Sequence, residues 1–212
     1  MKITNSSLIR YAGLAAMVSG ILFIVIQTIH PTDVLSQVTT DRWAIVHYLS
    51  IAMCLFGMLG ITGIYASQAE KTGWLGLTGY LTFSLFYAFS MAFQFVEALI
   101  SPVLATEAPK FVESFLGIVT GNAGELNIDA LETLYAITGV MYLIGGLLVG
   151  ITTLRAGILS RWAAGLLAIG TVLPLLGSSF IQHPYDRILA VPVGLSLAWL
   201  GYSLWSERRK KA

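Results

Sequence analysis

The chain has 212 residues, of which 56% are hydrophobic and only 11% charged, with 12 Lys and Arg against 11 Asp and Glu for a formal charge of +1. An average soluble domain carries about 25% charged residues, and a mean hydropathy of +0.79 leaves more apolar surface than a water-soluble core of this size can hide. The composition points to an integral membrane protein, and the near-neutral charge gives no reason to expect a nucleic-acid partner.

Six stretches approach the roughly 20 apolar residues that a bilayer core requires. They predict an all-α bundle of six transmembrane helices, at 8–29, 43–66, 74–100, 131–154, 158–181 and 188–205, in a single domain over 1–212. The first follows Lys2 and Arg10 as a secretory signal would, but it lacks a small-x-small cleavage site before Pro31 and reads as a retained helix. The second holds the only cysteine, Cys54, which excludes an internal disulfide and CxxC chemistry. In the third, Tyr80, Ser84, Tyr87, Ser90, Gln94, Glu97 and Ser101 are separated by four or three residues throughout and share one helical face.

The connection 101–130 is too long for a turn. Thr106 is placed to cap a short helix with Pro109 in its first turn, and Phe111, Phe115 and Val119 repeat by four, so an amphipathic helix on the outer surface is expected. Gly121-Asn-Ala-Gly124 ends it, and Asp129 with Glu132 gives a capping pattern for the fourth span. Pro174 should kink the fifth span. The basic end from Arg208 to Lys211 is suited to anionic headgroups.

Positive charge in short loops is retained on the cytoplasmic side. With both termini inside, that side holds Lys2, Arg10, Lys71, Arg155, Arg161, Arg208, Arg209, Lys210 and Lys211, nine of the twelve basic residues. Arg42, Lys110 and Arg187 fall outside with most of the acids, including Asp33, Asp41, Glu113, Glu125 and Asp186, so the predicted topology is N-in and C-in. Trp43, Trp74, Trp162 and Trp205 lie near span ends, where amphipathic rings favour the interface.

The outward-running helices begin Arg10-Tyr-Ala-Gly-Leu14, Gly73-Trp-Leu-Gly-Leu77 and Arg161-Trp-Ala-Ala-Gly-Leu166. They end Ile29-His-Pro31, Ile100-Ser-Pro102 and Gln182-His-Pro184, which fits three tandem hairpins at about 1–70, 71–155 and 156–212; convergence on common helix-end residues is the alternative. Ala12, Ala16 and Gly20, then Gly146 and Gly150, then Gly194 and Ala198 are spaced by four and predict close helix approach within one bundle.

Polar residues recur at one depth on other spans: Gln27 and His30; Trp43, His47, Ser50 and Cys54; Tyr135, Thr138 and Tyr142; Ser178, Ser179, Gln182 and His183. Leaving such groups against lipid costs several kcal/mol each, so the faces are expected to converge on a polar pocket opening outward. Its candidates are His47, Glu97, Gln94, Gln27, Ser50, Tyr87, Tyr142 and Gln182. His30, His47, His183 and Glu97 have the donor types to hold a divalent metal or a haem iron, although no HExxH spacing accompanies them. The same groups could relay protons, but the cytoplasmic halves offer no continuous polar path for a transporter. Ser50 beside His47 and Ser179 beside His183 lack the GxSxG context of a hydrolase.

The IRYAGL start, the IHP end, the DRWAIVHYL entry and the EKTGWLGLTGYL and SRWAAGLLAIG starts resemble those of small bacterial multi-pass membrane proteins, over most of the chain. The resemblance implies a bacterial inner membrane and supplies no activity, substrate or functional residue. The sequence is therefore read as a binding or accessory protein with an outward-facing polar pocket. Its partners are the lipid bilayer and either a small amphiphilic ligand or another membrane protein. A metal-dependent intramembrane enzyme acting on a lipid or amphiphile is the alternative, with a small transporter or proton-responsive sensor as a further one.

Overall fold

The computed structural model describes residues 4–122, 124–177 and 180–210, with side chains to Ser206, and it is all-α. Helix α1, Asn5–Ile29, begins in a reciprocal capping box between Thr4 and Ser7 and stops at His30, before Pro31. A 3-10 turn at Leu35–Gln37 leads to α2, Asp41–Ala66, whose first turn is capped by the Thr40 hydroxyl accepting from the Trp43 N–H. Helix α3, Ala69–Phe95, is broken at Gly73, whose φ of 56° and ψ of −152° suit a residue without Cβ, so the long apolar segment restarts at Trp74.

The third segment does not end at Pro102. It widens into a π-helical turn at Val96–Ile100 and continues as α4, Ser101–Glu107. Pro102 falls in the first turn of α4, where its missing N–H removes no bond a new helix would make. Then come α5, Pro109–Thr120, α6, Asp129–Ala156, and α7, Arg161–Gly177. A 3-10 turn at Tyr185–Ala190 leads into α8, Val191–Lys210.

Among the described residues, five segments are long and apolar enough to cross a membrane: Asn5–Ile29, Asp41–Ala66, Ala69–Glu107, Asp129–Ala156 and Tyr185–Ser206. Helix α7 is apolar but has only 17 residues. The segment expected at 158–181 is thus shorter as a helix, with Pro174 withholding a backbone donor just before its end. Ser178 and Ser179 lie outside the described residues.

The six main helices close into a ring: α1 packs on α2, α2 on α3, α3 on α6, α6 on α7, α7 on α8, and α8 returns to α1. Small residues form the seams and show that neighbours run antiparallel. Gly13 meets Gly201 and Gly20 meets Gly194; Gly60 and Gly63 meet Ala16 and Ala12; Gly150 lies on Ala164 and Ala168. The residues spaced by four therefore serve backbone contact inside the bundle, with a few polar ties: Ser19 Oγ donates to the Met53 carbonyl at 3.0 Å and Ser196 Oγ to that of Ala163 at 2.8 Å. A Cβ on Gly20 would collide with the Gly194 carbonyl oxygen and the Ala198 amide nitrogen, which no rotamer change relieves. Gly20→Ala should cost about 1–3 kcal/mol by overpacking, read as a lower unfolding midpoint in detergent. Gly139→Ala, with open space around its Cβ, should not destabilise.

Helix α5 is amphipathic as expected, with Pro109 in its first turn and Gly121 closing it at φ 73°. It is not a free surface helix. Val112 and Leu116 pack on Val38 and Trp43, and Phe115 packs on Phe93, so α5 lies across one end of the ring. Thr106 does not cap it: Ala108 occupies that position and the Thr106 hydroxyl bonds back to Val103. Nor does Asp129 cap α6, since its own N–H is held by the Asn127 side chain at 3.2 Å. Trp74 and Trp162 are strongly exposed as interfacial rings should be, but Trp43 is fully buried, because its indole fills the space under α5.

Candidate functional site

The site lies at the end of the ring covered by α5, and the π-helical turn positions its central carboxylate. In that turn the Ser101 N–H bonds to the Val96 carbonyl, and Pro102 has no N–H to give. The Glu97 carbonyl is thereby deprived of both helical donors. It is satisfied instead by the Trp43 indole N–H at 2.8 Å, across from α2. Burial of Trp43 and the position of Glu97 are two consequences of one irregular turn.

The Glu97 side chain, itself buried, faces His47 on α2, with Oε2 3.3 Å from Nε2. His47 donates its Nδ1–H to the Trp43 carbonyl at 2.7 Å. Nε2 completes no hydrogen bond. His30 caps this trio: its ring lies edge-on to His47 at 5.2 Å and to Trp43 at 6.1 Å, and its Nδ1–H donates to the Pro31 carbonyl at 2.7 Å.

A second cluster stands beside the first. Asp33, whose side chain is 2% exposed, accepts from Arg187 and from His183 Nε2, while His183 Nδ1 faces Asp186 at 3.1 Å. Both ring nitrogens point at carboxylate oxygens, so His183 bridges the two acids. Arg187 also donates to the Pro31 carbonyl and Arg42 to that of Ile29, so two guanidinium groups meet the carbonyl end of α1, where positive charge is favoured.

Between the clusters is a cavity of about 360 Å³. Of the residues singled out in the sequence, Gln27, Ser50, Gln94 and Glu97 line it, with His30 and His183 on its rim and His47 directly behind Glu97. Tyr87 and Tyr142 do not reach it; they pack with Phe83 and Phe86 deeper in the bundle. Gln182 is exposed and stands apart from the cavity. The Ser50 hydroxyl donates to the Val46 carbonyl and makes no pair with His47, and Ser179 lies outside the described residues. Phe23, Phe86, Phe93 and Tyr135 supply aromatic walls, and Phe115, Ile118 and Val119 of α5 form the roof.

Comparison with protein-family models, with curated proteins and with solved structures found no match. The chemistry of the site therefore rests on its own geometry. Among the described residues, no three His, Cys, Asp or Glu side chains are grouped so as to hold a metal ion. His30 and His47 are neighbours and His47 faces Glu97, whereas the ring nitrogens of His183 are taken up by Asp33 and Asp186. The set of His30, His47, His183 and Glu97 expected for a divalent metal or haem does not assemble as one centre.

Asp33, Asp186 and Arg187 belong to the site although the sequence marked them only as outer charges. A signal for the two acids exists: His30-Pro-Thr-Asp33 and His183-Pro-Tyr-Asp186 repeat the same spacing, and both carboxylates converge on His183.

Burial, and next the Arg187 guanidinium, hold the His30 imidazole down to about 4 from its ordinary 6.5; His47 acts the same way, while Asp33 and the Pro31 carbonyl oppose them. The folded protein keeps His30 neutral where the unfolded chain takes up a proton. Stability should therefore fall as pH drops from 6.5 towards 4 and level off below that. Melting temperatures measured over this range should decline less steeply in His30→Gln.

Proposed function

We propose that the chain is a six-span membrane protein, with both termini on the cytoplasmic side of a bacterial inner membrane, that binds a small ligand in a pocket open to the outer face. Five segments of membrane length support the spans. The place of α7 in the ring, between α6 and α8, supports counting it as the sixth. The distribution of Lys and Arg supports the orientation.

The observation that carries the binding role is the cavity. Its volume of about 360 Å³ falls within the range of small-molecule sites, roughly 300–1,000 Å³. Like them, it combines aromatic walls with a few convergent polar groups, here Gln27, Ser90, Gln94 and Glu97. At the opposite end the helices are joined by contacts such as Gln68 to Thr153 and Arg10 over Trp205, and the cavity beside Gln68 and Tyr80 there measures only about 10 Å³.

A thiol-labelling experiment tests the proposal. Ser90→Cys, made in a Cys54→Ala background, should react with a membrane-impermeant thiol reagent added to the outside of intact cells or right-side-out vesicles, and should be protected in inside-out vesicles. Labelling only from the inner side would overturn the orientation. No labelling from either side of correctly folded protein would overturn the pocket.

A further inference from the structure

We infer that the cavity takes a small organic ammonium ion, its N–H groups directed at Glu97 and its apolar part against the aromatic walls. The inference rests on the binding role proposed above and deepens it by naming the ligand's chemistry.

The guanidinium and imidazole groups around the cavity are already engaged. Arg187 is held by Asp33 and the Pro31 carbonyl, and the two ring nitrogens of His183 face Asp33 and Asp186. The Ser50 hydroxyl hydrogen goes to Val46, the His30 Nδ1–H to Pro31 and the His47 Nδ1–H to Trp43. What remains, beside the amides of Gln27 and Gln94 and the hydroxyls of Ser90 and Tyr135, is a set of acceptors: the Glu97 carboxylate, His30 Nε2 and Gln94 Oε1, which is buried without a partner. A buried acceptor left unmade costs about 1–3 kcal/mol, so the site favours a ligand rich in N–H groups.

Charge points the same way. Asp33 and Asp186 share Arg187 and His183, whereas Glu97 has no guanidinium or ammonium partner and only His47 Nε2 at 3.3 Å, which completes no hydrogen bond. A carboxylate or phosphate ligand would be set against the Glu97 carboxylate. An ammonium group brings a positive charge and up to three donors to Glu97, and the cavity is lined by the rings of Phe23, Phe86, Phe93 and Tyr135, side chains whose faces attract a cation.

The test uses the full-length Ser90→Cys, Cys54→Ala protein in detergent and follows the rate of thiol labelling. 2-Phenylethylamine should slow labelling in a saturable manner, and 2-phenylethanol and 3-phenylpropionate at the same concentrations should not. Adding Glu97→Gln should raise the half-protecting amine concentration at least tenfold, and Gln94→Leu severalfold. If Glu97→Gln fails to give monodisperse protein, Gln94→Leu and the three-ligand comparison decide alone. Equal protection by the alcohol or the acid, or unchanged amine protection in the variants that fold, would overturn the inference. Labelling that proceeds normally but is never slowed by amine rejects the ammonium ligand and leaves the pocket standing; absence of any labelling rejects both.

Discussion

Asp33→Ala should cost about 3 kcal/mol of stability, because breaking a buried ion pair from one side leaves the other charge uncompensated. Its carboxylate is 2% exposed and accepts from both Arg187 and His183. Without it the Arg187 guanidinium loses its carboxylate, and only Asp186 is left beside His183. The cluster also has a mechanical role: it ties the chain leaving α1 to the 3-10 turn that enters α8, where the ring closes. Asp186→Ala is the comparison, since that side chain is 30% exposed and makes a single contact, to His183 at 3.1 Å; its loss should stay below about 1 kcal/mol, as for exposed pairs. Unfolding midpoints in mixed micelles would separate the two. Similar losses for both variants would mean that the cluster depends on Asp33 no more than on Asp186.

Much of the helical framework is legible in the sequence because its causes are local. Gly73 breaks α3 where the Trp-Leu-Gly-Leu motif begins, and Pro109 and Gly121 bound an α5 whose apolar face follows from spacing alone. The small residues spaced by four mark the seams of the ring because only they allow backbones to touch. Periodicity also groups Ser90, Gln94 and Glu97 correctly on one face of the third segment, all of them at the cavity. It does not say how deep that face is wet. Tyr87 and Tyr142 lie on polar stripes, yet other aromatic rings surround them, because a stripe shared by two helices is core wherever the helices are in contact.

The charged half of the site was hidden for a different reason. Asp33, Asp186 and Arg187 sit in connections, where no period applies, and Asp33 finds its partners His183 and Arg187 150 and 154 positions along the chain. Only the repeated His-Pro-x-Asp spacing carries a trace of it, and that spacing does not reveal that Asp33 would cross to the other copy's histidine. Trp43 was misplaced because an aromatic near a span end usually marks the interface; here a tertiary demand, the stranded Glu97 carbonyl, draws it inward.

That demand makes the strongest test of the site's construction. Trp43→Ala should cost about 3–5 kcal/mol, the range for removing a large buried aromatic. Trp43→Phe keeps most of the volume and should cost about 1–3 kcal/mol for the orphaned carbonyl. Pro102→Ala restores an N–H at position 102, within reach of the Glu97 carbonyl in the i to i+5 pattern that Ser101 already follows. If the tryptophan stabilises this turn by replacing the donor that proline lacks, Pro102→Ala should help Trp43→Phe far more than it helps the parent chain. The two changes should couple by at least about 0.5 kcal/mol in a double-mutant cycle of unfolding midpoints. Additive effects would mean that Trp43 acts by packing alone. Coupling would tie a helix-breaking residue, a buried indole and the cavity carboxylate into one structural unit, with the π-helical turn holding Glu97 towards the cavity.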